Sequence, residues 1–116
     1  MNRTKFFGEA YTHDSELVRS VLAEWSGASN LEVRVKIFGD RVIYEDDTTY
    51  VYAEIGTEPG QQDCLLQGHI VASLDDAKKR LQSLVDTFKA KGIATYLDLT
   101  EVNDAGDDVS DEFRVE

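Results

Sequence analysis

Residues 31–55 switch between apolar and polar side chains at nearly every step, and this alternation restricts the fold more than any other feature. Leu31, Val33, Val35 and Ile37 interleave with Glu32, Arg34, Lys36 and Phe38, the period of a strand with one buried face. Gly39-Asp40 reads as a two-residue turn in which glycine supplies the positive φ of a type II′ hairpin. Residues 41–45 then return. This loop pairs Phe38 with Arg41, Ile37 with Val42, Val35 with Tyr44 and Arg34 with Glu45. The apolar pairs share one face and the ion pair takes the other. A four-residue loop at Asp46-Asp47-Thr48-Thr49 pairs Tyr44 with Val51 and Val42 with Ala53, again on the apolar face. A one-residue slip would turn that face to water, so a three-stranded antiparallel meander is expected.

Helices are expected on either side of the meander. Asp14 or Ser15 offers an N-cap oxygen, Leu17, Val18, Val21, Leu22 and Trp25 recur at helical spacing, and Gly27 ends the run. Ser73 caps a second helix, with Asp76 in the capping-box position and Asp75 near its positive end. Its apolar stripe is Leu74, Ala77, Leu81, Leu84, Val85 and Phe88, and Gly92 closes it. Residues 4–11 are a candidate first strand. Residues 64–72 form a fourth meander strand, with Cys64, Leu66, Ile70 and Ala72 inward. Residues 93–102 form a last long strand. Phe113-Arg114-Val115 is expected to return as a short edge strand, while the charge density before it supports a mobile tail instead.

The resulting fold class is α+β: a mainly antiparallel sheet in the order β-α-β-β-β-β-α-β, with both helices on one face. Residues 1–102 make a single domain, and residues 103–116 form an acidic C-terminal segment. A hydrophobic content of 41% supplies enough core for one domain of 116 residues.

Charge is unevenly distributed. The last nineteen residues carry eight acids and one base, which is −7 of the chain's −11. Such a field repels nucleic-acid phosphates and anionic membranes and attracts cationic partners. Cys64 is the one cysteine, so no intrachain disulfide forms. No apolar run suits a secretory signal or a membrane span, and a cytoplasmic protein is the expectation.

Catalytic motifs are missing. Phosphate-cradling glycine patterns and zinc-type spacings do not occur, and Cys64 and His69 lie five apart on one strand, hence on opposite faces. Cys64 reads as a buried structural thiol, and His13 and His69 as solvated or hydrogen-bonded. Asp104, Asp107, Asp108, Asp111 and Glu112 lack the spacing of a calcium loop. No catalytic residue, metal or cofactor is assigned.

The open face of the sheet is the best candidate for function. Arg34, Phe38, Arg41, Ile43, Tyr50, Tyr52 and His69 fall on it, residue types enriched at contact surfaces. With Asp104, Asp107, Asp108, Asp111 and Glu112 they suggest a small acidic interaction protein that binds a basic protein partner. Inhibitors, immunity proteins and chaperones or adaptors share this size and charge. A homodimer through the open face is a further expectation. The alternatives are a small-ligand or enzymatic pocket on that face, with His69 or Glu54 carrying a proton, and a nucleic-acid mimic.

Overall fold

The computed structural model describes residues 2–29, 31–36, 39–56, 58, 60 and 63–116. In chain order its elements are β1 (Arg3–Ala10), α1 (Ser15–Ser26), β2 (Val33–Lys36), β3 (Gly39–Glu45), β4 (Thr49–Ile55), β5 (Cys64–Ile70), α2 (Leu74–Ala90), β6 (Thr95–Val102) and β7 (Phe113–Val115). All seven strands join one antiparallel sheet in the order β2-β3-β4-β5-β1-β6-β7. The expected class and element order are observed, and Phe113–Val115 forms the expected short edge strand, β7. Among the described residues, no helix is long and apolar enough to cross a membrane.

The helices form where their caps and stripes place them. Asp14 accepts a hydrogen bond from Leu17 N, and Gly27 closes α1 at φ 76°. Ser73 accepts from Asp76 N at the start of α2. A second carboxylate helps there: Glu101 of β6 accepts from Leu74 N at 2.7 Å and from Asn2 Nδ2 at 2.6 Å. These two bonds, Asn2 foremost, hold the Glu101 carboxyl below its usual range. Both helices pack on the same sheet face, over a core that includes Val18, Leu22, Leu81, Leu84 and Phe88 from the helices and Phe6, Val51, Leu66, Ile70, Leu97 and Leu99 from the strands. Trp25 bridges the layers by donating Nε1–H to Arg80 O and meeting Tyr44 edge-on at 6.2 Å. Arg80 itself turns inward, Nη1 donating to the buried Thr49 Oγ1 at 2.8 Å.

The β3–β4 register is as expected, with Val42 opposite Ala53 and Tyr44 opposite Val51. The β2–β3 register is not. Val33 stands opposite Val42, Arg34 opposite Arg41, Val35 opposite Asp40 and Lys36 opposite Gly39. Gly39-Asp40 belongs to β3 and is not the turn, and Ile37 and Phe38 lie outside the described residues. Gly39 is required for a different contact. At φ 147°, any Cβ it carried would strike the Ile55 carbonyl oxygen of β4. The shift of four residues preserves which face each side chain takes, but it removes the Arg34–Glu45 pair and leaves Val35 81% exposed at the sheet edge.

Candidate functional site

The face away from the helices is set by alternation on the two most central strands. On β1, Thr4, Phe6, Gly8 and Ala10 point into the core, so Arg3, Lys5, Phe7 and Glu9 point away. On β5, Cys64, Leu66 and Ile70 are buried while Leu65, Gln67 and His69 face out. On β6, Tyr96, Asp98 and Thr100 face the same way. Strand pairing sets these side chains in rows: Tyr50, His69, Lys5 and Thr100 in one, and Tyr52, Gln67, Phe7 and Asp98 in the next.

The acidic segment walls one side of this face. Asn103 organises its turn, accepting from Ala105 N and Asp107 N, and Gly106 N returns to Asn103 O. Val102 and Asp108 form a bridge, Val109 N donates to Glu101 O, and Ser110 Oγ accepts from Glu101 N. Under this turn Val102 is only 2% exposed, although it lies outside the main core. Lys5 Nζ reaches Asp108 across the face at 3.3 Å. Arg114 of β7 grips Asp98 and lies over the Tyr96 ring, its guanidinium carbon 4.2 Å from the ring centre.

Between wall and sheet lies a groove of about 730 Å³. Phe7 and the Tyr50–His69 pair provide its aromatic surface, the two rings stacked at 5.8 Å and 22°. Arg3 and Lys5 give the floor positive charge, and Asp98 and Glu112 lie toward the wall. Tyr96, just beyond, has its hydroxyl pKa raised by burial and then by Glu9 and Tyr11.

Only some of the expected contact residues lie at the groove. Tyr50, His69 and Glu112 line the groove. Asp108 stands on its wall in the ion pair with Lys5, and Asp104, Asp107 and Asp111 are exposed on the same segment. Tyr52, Ile43 and Arg41 continue the open face outward over β4 and β3. Arg34 is exposed opposite Arg41, whose Nε is buried without a hydrogen-bond partner among the described residues. Glu54 accepts from Tyr52 and does not line the groove. Phe38 lies outside the described residues. Arg3, Lys5, Phe7, Asp98 and Thr100 were missing from the expected set. Their signal was the in-out alternation of the first and last long strands, which becomes useful once β1 is known to lie between β5 and β6.

Among the described residues, the groove lining contains no serine or cysteine. Cys64 is buried on the helix side of the sheet, where burial, then Asp63 and Glu9, push its thiol pKa to about 12. Among the described residues, no three His, Cys, Asp or Glu side chains group as a metal site. His13 is engaged elsewhere, with Nδ1 2.5 Å from Gly56 O and Nε2 2.7 Å from Asp63. No family model, no curated protein and no solved structure matches this chain.

Proposed function

We propose that this protein is a non-enzymatic binding protein for a basic polypeptide, which it engages through the aromatic open face and the acidic wall beside it. One observation carries this reading: residues 103–112 are folded against β6, so Glu112 lines the groove that contains Phe7, Tyr50 and His69, Asp108 pairs with Lys5 beside it, and Asp104, Asp107 and Asp111 are exposed on the same ordered segment. Charge for steering and apolar area for contact therefore share one continuous surface. The ordering of the wall before binding removes part of the entropy cost that a loose acidic tail would carry. Inhibition, immunity and chaperoning all suit such a surface, and a cytoplasmic setting accompanies the reading.

The test is capture from the source organism's extract at low and high salt, run beside two variants. The first neutralises Asp104, Asp107, Asp111 and Glu112 as amides, and the second is Tyr50→Ala. A specific basic protein should be retained by the native chain, lost in high salt and weakened at least about tenfold by each variant. Retention that ignores both salt and the variants would reject the reading.

A small-ligand reading is favoured by the groove's volume, which lies within the usual range of about 300–1,000 Å³ for ligand pockets. A thermal shift with a metabolite that Tyr50→Ala abolishes, without any protein partner, would select it.

A further inference from the structure

The edge strand β2 has its inner side paired to β3 and no strand on its outer side among the described residues. Its residues are poor protection for an exposed edge. Val35, on the helix side of the sheet, is 81% exposed, and Leu31 and Val33 are only partly buried at the rim of the core. Edges are commonly guarded by short length, lysine, proline or inward-pointing charge; β2 is short and ends in Lys36, but residues 31–35 carry no proline and no charge among Leu31, Val33 and Val35 on the helix side.

We propose that this edge, with Leu31 and Glu32 just before β2 joining the strand on pairing, pairs with the same edge of a second copy, antiparallel and centred on Val33. A two-fold axis perpendicular to the sheet pairs the central residue with itself, and opposed residues share a face. Centred on Val33, the register sets Leu31 against the partner's Val35 and Val33 against the partner's Val33 on the helix side. On the open side it sets Glu32 against the partner's Arg34, twice by symmetry. Apolar residues meet apolar ones and acids meet bases at every position from 31 to 35. Moving the centre to Arg34 opposes two arginines, and moving it to Glu32 opposes two glutamates. One register is thus selected by charge.

The opposite edge provides a contrast. β7 is flanked by Glu112 and Glu116, which the same operation centred on Arg114 would bring together, so like charge protects that end. Pairing at β2 leaves the grooves at the outer ends of one continuous sheet, both on the same side. The dimer would then present its two binding faces to a partner together. This inference does not depend on what the groove binds.

A strip of five residues a side is small against the roughly 800 Å² per partner of a standard interface, so a dissociation constant in the micromolar range or weaker is expected. Sedimentation equilibrium from about 10 μM to about 1 mM should show a monomer–dimer equilibrium. Glu32→Arg and Arg34→Glu, both at exposed positions, should each weaken it about tenfold or more. An equimolar mixture of those two variants should associate again, because acid then faces base at both contacts. A monomer throughout the range overturns the proposal. So does a dimer indifferent to both reversals, which would place the contact on another surface.

Discussion

Arg114 holds Asp98 with two parallel hydrogen bonds, Nε to Oδ1 at 2.7 Å and Nη2 to Oδ2 at 3.0 Å, across the β6–β7 pairing. This fork is the best-defined polar link between the acidic segment and the sheet. Asp98 raises the Arg114 pKa further, so the arginine keeps its charge across the whole working range. Lys78 completes the attachment from the other side, its ammonium 3.8 Å from the Phe113 ring centre.

Arg114→Ala is therefore expected to loosen the wall without unfolding the domain. Amide exchange at residues 113–115 and at their β6 partners should accelerate several-fold, while the amides of β4 and β5 stay protected. Exchange mass spectrometry checks both halves of the statement.

Asp46 makes the turn between β3 and β4 sensitive to acid. It accepts from Tyr44 Oη at 2.5 Å and from Thr48 N and Thr49 N at 2.8 Å each. The Tyr44 bond first, then those backbone amides, lowers its pKa to about 2. A carboxyl depressed in the folded state stabilises the protein above its unfolded value, near 4, and loses that contribution as pH falls toward 2. Asp46→Asn should flatten this part of the stability–pH curve, measured by urea unfolding at pH 6 and pH 3. Because the side chain is exposed, Asp46→Ala is expected to cost roughly 1 kcal/mol or less.

Cys64 should behave as a core residue. With its pKa near 12, the folded thiol stays neutral at pH 8 and resists disulfide reagents until the protein opens. The sign follows from the raised value: the unfolded thiol ionises first, so this group's contribution is complete below about pH 8.5 and declines as pH rises toward 12. Labelling at pH 8 with and without urea tests the burial. Cys64→Ser, which introduces a hydroxyl into the core, should cost about 1–3 kcal/mol.

Gly68 permits a close approach that no other residue allows. A Cβ there would collide with the Tyr50 carbonyl oxygen, and the Phe6 ring already covers the position at 3.0 Å. Gly68→Ala should destabilise the protein by about 1–3 kcal/mol or more and displace Tyr50 from His69. The lowered unfolding midpoint should accompany shifted ring resonances of those two residues.

Much of this fold is readable from local pattern. The caps at Asp14 and Ser73, the stripe from Leu74 to Phe88 and the pairing of Val42 with Ala53 are short-range consequences of period, turn length and side-chain oxygen placement. Such signals determined the element order, the side of the sheet that the helices cover and the exposure of Tyr50 and Tyr52 on the other side. The concentration of acid after Asp98 was equally plain in the chain.

Three-dimensional packing decided the rest. Gly39 has the same local signal in a turn as in a strand, and the steric demand of Ile55 O selected the strand. That choice moved the β2–β3 register by four residues and left Val35 exposed. Placing β1 between β5 and β6 brought Arg3, Lys5 and Phe7 beside Tyr50 and His69, although long stretches of chain separate them. It also made the wall, since residues 103–112 can border a groove only where β6 is already in place. Periodicity specifies the face of each side chain, because that is a property of consecutive residues. Which strands become neighbours depends on how the whole apolar surface is buried at once, and no short window of sequence contains that information.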